Sequence, residues 1–311
     1  MMTLSLFRRG LLVVALLGGF ATQGMAQTSG KLQSFPSAEA AADALTDAIR
    51  RDDDGAMAAI LGDGWRDMVP TSADDEERLR TRFLSAWDEN HKVIAKDDSK
   101  AAVEVGGSGF VLPVPIVKDG AGWHYDIEAG RKEIAARRIG RNELAVIQTL
   151  LAVVDAQREY ASLDPMKAGV PQYARRLLSS PGKKDGLYWE AAPGEPQSPL
   201  GPAVAKAQAQ MQAKGEPGEG YYGYRFRLLY GQGPAARHGA RDYLVKSRLI
   251  GGFAVIAWPV SYGETGVATF MVNHRGDVYE QDLGADTARR AAAINLFNPE
   301  KGWEKADMAP P

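Results

Sequence analysis

The feature that most constrains this chain is a helical pattern with two adjacent apolar rows, flanked by strand-like sequence. The rows recur at intervals of three and four residues and consist of Ile147, Leu151 and Val154 beside Val146, Leu150 and Val153. A stripe this broad predicts a helix that is buried on both sides. We therefore expect a central helix segment at residues 135–163, with Asn142 as N-cap and Glu143 in the first turn.

The flanking segments predict an α+β fold. Residues 35–134 contain helical patterns followed by two hairpin-like alternations, an order that resembles the cone-shaped nuclear transport factor 2 fold and cystatin-like domains. Residues 221–300 predict an antiparallel β-meander domain. With GYRF at residues 223–226 and FMVN at 270–273 after a helix that contains Tyr160, this half resembles type IV pilin-like and pseudopilin subunits, which implies a helix packed on a sheet. Residues 164–220 form a bridge rich in proline and glycine, and residues 301–311 form a tail. We expect the central helix to be a floor shared by both strand-rich halves.

The first 26 residues have the organisation of a signal peptide. Arg8 and Arg9 precede an apolar run, and Gly24-Met25-Ala26 supplies small residues before a cleavage point. The run is short for a membrane span, and the chain has no cysteine that could carry a lipid anchor. We expect a soluble periplasmic or secreted protein, without a transmembrane anchor after cleavage and with a mobile lead at residues 27–34. The general and the twin-arginine export routes both stay open.

Charge and cysteine content exclude several classes of function. The net charge is −2, and removal of the first 26 residues, whose only charged side chains are Arg8 and Arg9, makes it −4. Nucleic-acid binding needs a basic face, so we expect no nucleic-acid partner. Because cysteine is absent, disulfides, thiol nucleophiles and cysteine metal sites are excluded.

Motifs for metal, phosphate or nucleophilic chemistry are also missing. The sequence contains no HExxH, GxxxxGK[ST] or GxSxG pattern. The acidic runs at residues 52–54 and 74–77 lack the ligand spacing of a calcium loop, and they are typical of helix N-termini. We expect no metal and no cofactor.

Three stretches carry a family resemblance. RRIGRNE at residues 137–143, IGGFAVIAWP at 250–259 and VNHRGDVYEQDLG at 272–284 resemble an uncharacterised family of secreted bacterial proteins, known only as a domain of unknown function (number 2950). The resemblance covers nearly all of the chain after the signal peptide. It implies export and one shared fold, and it implies no activity.

Two groups of residues predict a binding surface. Arg138, Arg141 and Glu143 crowd the predicted helix entry, where arginine forks beside a helix N-terminus favour anions. Tyr188 and Trp189 lie among prolines and glycines, where rigid rings can anchor a partner. Such a surface would bind an envelope protein, a peptide or a glycan, and the protein would act as a binding or assembly module. The alternative is structural: the arginines form ion pairs and the rings fasten a loop to its domain.

A second hypothesis is a periplasmic hydrolase or small-ligand-binding enzyme. It would use a pocket in the first domain with His124, Tyr125 and Asp126 at its mouth. A histidine on a strand beside aromatic residues is more often a half-exposed sheet residue. No catalytic set can be assembled from spacing alone, so a binding module is the preferred hypothesis.

Overall fold

A computed structural model describes residues 32–69, 72–202 and 220–307. The predicted signal peptide, the lead before residue 32 and the last four residues of the tail lie outside the described residues. The described chain forms two compact units, one of residues 32–69, 72–108 and 116–125, the other of residues 109–115, 126–202 and 220–307. Within these residues, none of the helices combines the length and apolar character that crossing a membrane requires.

Helices open the first unit, each beginning at a polar cap. They are α1 (Ala38–Arg51), α2 (Asp54–Leu61), a 3-10 turn (Asp63–Met68) and α3 (Ala73–Glu89). The side chains of Ser37, Asp53 and Ser72 accept hydrogen bonds from backbone N–H groups in the first turns of α1, α2 and α3. The acidic runs therefore lie at helix N-termini, as predicted.

An antiparallel sheet completes the first unit, in the order β1-β2-β4-β5. Its strands are β1 (His91–Asp97), β2 (Lys100–Val105), β4 (Ile116–Asp119) and β5 (Gly122–Tyr125), while β3 (Phe110–Val111) belongs to the second unit. Ala41, Ile60, Val103, Ile116 and Tyr125 are at most 2% exposed and form the core of the first unit. Side chains of the helices and of the sheet thus form this core together.

The central helix, α4 (Ile127–Leu163), begins eight residues before the predicted segment of residues 135–163 and sixteen residues before the first turn predicted at Glu143. Its N-cap is Asp126, whose Oδ1 accepts from the Ala129 N–H at 3.0 Å. The N-cap assignment to Asn142 is wrong, because that residue lies inside the helix. The row of Val146, Leu150 and Val153 is fully buried, and in the other row Ile147 and Val154 are buried while Leu151 is half-buried.

The second unit contains an antiparallel sheet in the order β16-β15-β14-β13-β8. The strands are β8 (Tyr224–Leu229), β13 (Ala254–Pro259), β14 (Ala268–Asn273), β15 (Val278–Asp282) and β16 (Glu304–Lys305). Helix α4 packs on one face, where the Tyr224 side chain meets Glu143, and helix α5 (Thr287–Ala293) lies against the other. The chain is therefore α+β with antiparallel principal sheets, which confirms the predicted class.

Short strands complete the second unit. They are β6 (Arg176–Leu178) parallel to β7 (Gly186–Tyr188), β9 (Gly231–Gln232) with β10 (Arg241–Asp242), and β11 (Leu244–Val245) with β12 (Arg248–Leu249). Leu177, Leu187 and Leu200 from the proline-rich bridge join the core of this unit. The described part of the bridge is therefore a packed element of the second unit.

The bridge is attached to α4 by one buried amide. Gln157 is 0% exposed, its Nε2 donates to the Ala174 carbonyl at 3.0 Å, and its Oε1 accepts from the Ala174 N–H at 2.8 Å. The glutamine thus takes the place of a neighbouring strand's peptide group.

We predict that Gln157→Leu lowers the free energy of unfolding by roughly 2–6 kcal/mol, because it leaves two buried backbone groups unpaired at about 1–3 kcal/mol each. Urea-induced unfolding measures this. Gln148→Leu, on the exposed side of the same helix, is the matched control and is expected to stay within about 0.5 kcal/mol of wild type. Equal effects of the two substitutions would contradict the assignment.

Candidate functional site

Two of the predicted surface residues, together with Asn142, fasten the β13–β14 loop (residues 260–267) to α4. Arg138 donates to the Glu264 carbonyl at 3.3 Å, and Asn142 donates to the Thr265 carbonyl at 2.9 Å. Glu143 Oε1 accepts from the N–H groups that close the loop and open β14, at 2.8 and 2.9 Å. Arg141 is exposed, and no ion pair or hydrogen bond joins its side chain to the described residues. Arg138 and Glu143 are therefore positioning residues for a loop.

The same carboxylate meets a buried tyrosine. The Tyr224 hydroxyl lies 2.9 Å from the Ala268 carbonyl and 3.3 Å from Glu143 Oε1. Burial raises the pKa of the Tyr224 hydroxyl above its usual value, and the neighbouring Glu143 raises this pKa further. Gly266 packs against the Tyr224 ring so closely that a Cβ would overlap the hydroxyl. The loop therefore requires glycine at this position.

Tyr188 and Trp189 lie elsewhere in the second unit. Trp189 is 6% exposed, its ring meets Tyr160 edge-on at 6.3 Å, and its Nε1 donates to the Pro196 carbonyl at 3.3 Å. Tyr188 is half-buried. Tyr160 follows Glu143 by 17 helical residues, about 26 Å at 1.5 Å per residue. The structure thus does not bring the two predicted groups together, and the Trp189 ring is a core side chain.

The residues of the alternative pocket also diverge. His124 is half-buried, with its Nδ1 3.9 Å from Asp119 Oδ2. Its neighbour Tyr125 points to the opposite side of β5 into the core, where burial raises the pKa of the hydroxyl. Asp126 is committed to capping α4. In the part of the chain that the structure describes, no cluster of three or more acidic or histidine side chains is arranged to hold a metal ion.

A row of polar and aromatic side chains crosses the sheet of the second unit at the end next to the β13–β14 loop. We call it the Arg225 row, consisting of Arg225, Trp258, Thr269 and Gln281. Arg225 on β8 pairs with Trp258 on β13, and Thr269 on β14 pairs with Gln281 on β15. The register between β13 and β14 places Trp258 and Thr269 on one face, opposite to the face that packs on α4. Arg225, Trp258 and Gln281 are half-buried.

The Arg225 row contains polar atoms that lack partners. Arg225 Nε and Thr269 Oγ1 are both buried, and neither forms a hydrogen bond within the described chain. The Arg225 guanidinium also forms no ion pair with a described residue. A buried donor or acceptor left unpaired costs about 1–3 kcal/mol. The fold therefore keeps a charged group in a position that its own contacts do not explain.

A second arginine on the same face of β8, Arg227, forms hydrogen bonds to α5. Arg227 Nη2 donates to the carbonyls of Ala291 at 3.0 Å and Ile294 at 2.6 Å, at the C-terminal end of α5. Partial burial lowers the pKa of its guanidinium. Arg227 thus holds α5 on the sheet, whereas Arg225, one pleat away, holds nothing that the structure describes.

Comparison with known families identifies the chain. A family model described as a protein of unknown function (DUF2950) matches residues 32–306. The chain belongs to this family. No curated protein and no solved structure matches it. The similarities to nuclear transport factor 2, cystatin-like and pilin-like folds accordingly stay predictions.

In this DUF2950 chain, the stretches that carried the resemblance supply two strands of the Arg225 row and the side chains that hold the adjoining loop. RRIGRNE supplies the side chains that hold the β13–β14 loop, and IGGFAVIAWP supplies β13 with Trp258. VNHRGDVYEQDLG supplies β15 with Gln281. The sequence analysis did not single out Arg225. Nothing in one strand's sequence shows which cross-strand neighbours an arginine will have.

His274 lies at the opposite end of the same sheet, in the turn between β14 and β15. Its ring meets Tyr243 edge-on at 5.7 Å and Phe253 at 6.4 Å, and its buried Nδ1 has no hydrogen-bond partner among the described residues. Burial lowers the pKa of this imidazole below 6.5, and the nearby positive charges of Arg241 and Arg275 lower it further.

We predict that replacing Arg227 destabilises the DUF2950 fold and replacing Arg225 does not. Arg227→Met should lower the free energy of unfolding by about 1.5–3 kcal/mol, since it removes charge-assisted hydrogen bonds to α5. Arg225→Met should leave it unchanged or raise it slightly, because an unpaired buried donor is removed. Urea-induced unfolding of both variants is the measurement. A comparable loss in Arg225→Met would reveal a structural partner and remove the basis for a site there.

We predict that His274 makes stability depend on pH. The unfolded chain protonates this imidazole at a higher pH than the folded chain, so its contribution is complete above about pH 6.5 and is lost as the pH falls through the folded pKa. Thermal unfolding should therefore show a larger loss between pH 7.5 and 5 for wild type than for His274→Gln. His238→Asn, in an exposed loop, should behave like wild type. Identical pH profiles for wild type and His274→Gln would refute this prediction.

Proposed function

We propose that this DUF2950 protein is an exported envelope protein that acts as a binding module for an acidic ligand at the Arg225 row. The observation that carries the proposal is the half-buried Arg225 guanidinium, unpaired within the described chain and directly beside Trp258. An arginine fork is the side chain best suited to a planar anion. A ligand carboxylate would accept hydrogen bonds from the Arg225 guanidinium, which has no such acceptor in the described chain.

Rigid surroundings support a binding role for the Arg225 row. Trp258, Thr269 and Gln281 come from β13, β14 and β15, which each pair with a strand on both sides, and Arg225 comes from the edge strand β8. The adjoining β13–β14 loop is held by Arg138, Asn142 and Glu143. Sites on strands with fixed neighbours lose little conformational entropy when a ligand binds.

Export is supported by the sequence of residues 1–26, which have the charged start, apolar run and small-residue end of a signal peptide. The net charge of −4 after cleavage is consistent with an arginine that selects its ligand locally, because the protein as a whole does not attract anions. An envelope protein, a peptide or a glycan could each present the acidic group.

The proposal predicts that Arg225 is needed for anion binding. The full chain, carrying a C-terminal tag, is produced in a bacterial host, recovered from the periplasmic fraction and titrated calorimetrically. The probes are tri-galacturonate, a tetraglutamate peptide and inorganic phosphate, each beside a neutral counterpart or buffer. At least one acidic probe should bind wild type and lose affinity at least tenfold in Arg225→Met, which corresponds to about 1.4 kcal/mol.

The matched control is Arg248→Met, which removes one exposed positive charge from β12, away from the row. It should bind as wild type does. The absence of any probe-dependent heat, or equal losses in Arg225→Met and Arg248→Met, would refute an acidic-ligand site. Retention of the tagged chain in the cytoplasm would refute export.

A further inference from the structure

We propose that the ligand of the Arg225 row is a carboxylated glycan, a short chain of sugar rings of which at least one bears a carboxylate. This inference rests on the proposed function and narrows it to one chemical class. It is carried by the direct pairing of Arg225 with Trp258, together with the half-buried Gln281 amide on the same face of the sheet.

The aromatic member of the row suits a sugar ring. Trp258 packs on the core of the second unit while remaining partly exposed, so its ring has a supported side and an accessible part. Directly paired side chains on one face of antiparallel strands have Cβ atoms about 4.5–5.5 Å apart. A ring stacked on the Trp258 indole therefore brings a carboxylate substituent within reach of the Arg225 guanidinium. The apolar ring and the charged fork would act on one sugar residue.

The charge of the row favours a carboxylate over a phosphate. A phosphate monoester carries about −1.5 to −2 charges at pH 7 and is usually bound by several cations. Here Arg227 is committed to the α5 carbonyls, which leaves Arg225 as the arginine of β8 available to an anion. A single guanidinium matches the single charge of a carboxylate. Two parallel N–H groups of the guanidinium can bind the two carboxylate oxygens.

The Gln281 side chain of the row suits hydroxyl groups. Gln281 has an amide that can both donate and accept, and no hydrogen bond joins this amide to the described residues. Sugar hydroxyls have the same dual character. Adjacent strands are about 4.8 Å apart, so the row from β8 to β15 extends over roughly 14 Å. Thr269 is buried between Trp258 and Gln281, so a ligand on this face would contact Arg225, Trp258 and Gln281.

The test uses pairs of probes that differ in one property. Tri-galacturonate, a hyaluronate tetrasaccharide and N-acetylmuramic acid provide carboxylated sugars, and their methyl esters or neutral analogues provide the same rings without charge. Calorimetric titration of the full chain should show that at least one acid binds and that its ester binds at least tenfold more weakly. Arg225→Lys, which keeps the charge but loses the fork, should weaken binding of the acid at least tenfold.

The ring is tested separately. Trp258→Leu should weaken binding of carboxylated sugars at least tenfold, whereas Trp258→Phe, which keeps an aromatic face, should retain most of the affinity. Thermal unfolding of both variants tests whether they are folded. Binding of tetraglutamate or phosphate but of no carboxylated sugar would overturn this inference and leave the acidic-ligand function standing. Binding of no acidic probe would overturn both.

Discussion

The second unit depends on one carboxylate that reaches from a helix into the end of a sheet. Glu143 accepts two backbone N–H groups where the β13–β14 loop runs into β14, and it also meets the Tyr224 hydroxyl. Without it these N–H groups would have to find other partners, because buried backbone donors are almost always paired. Bonds to an ionised acceptor are stronger than those between neutral groups. The carboxylate therefore fixes α4, the loop and the first residues of two strands together.

The two arginines of β8 show how neighbouring positions on one face can serve different ends. Arg227 holds α5 on the sheet through carbonyls that would otherwise end the helix unpaired. Arg225 lies two residues earlier and has a buried Nε that forms no hydrogen bond in the described chain, an arrangement that costs free energy. Natural proteins tolerate such groups chiefly where function requires them. This contrast within a single strand, rather than the charge of either residue, directs attention to the Arg225 row.

Periodicity was sufficient to predict the existence and burial of α4 and the antiparallel class of the second unit. Its start was missed, because the turns from Ile127 to Arg141 are rich in charged residues and contain Gly130 and Gly140, which weakens the apolar pattern. Asp126 caps α4 directly after β5, and the strand-like pattern of the preceding residues gave no sign that a helix begins there. Helix boundaries depend on such single side chains more than on the stripe.

The candidate site could be predicted only in part. Arg138 and Glu143 were singled out for their charge, yet their roles depend on backbone groups more than a hundred residues later in the chain. Trp189 is buried, as the structural alternative to a binding surface predicted, since a ring among prolines can be a core residue as easily as an anchor for a partner. Arg225 became a candidate only through the strand register, which pairs it with Trp258. Pairing between distant strands is not encoded in the local sequence of either one.

The distance in sequence between Glu143 and the groups that donate hydrogen bonds to it has a kinetic consequence. The carboxylate and the Val267 N–H are separated by 124 residues, and Tyr224 lies 81 residues beyond the carboxylate. Such contacts require closure of long loops before any gain is realised, and topologies rich in them fold slowly. During synthesis, α4 emerges from the ribosome well before its partners exist. Its apolar rows therefore stay unshielded until most of the polypeptide has been made, an interval in which a nascent chain is open to chaperones.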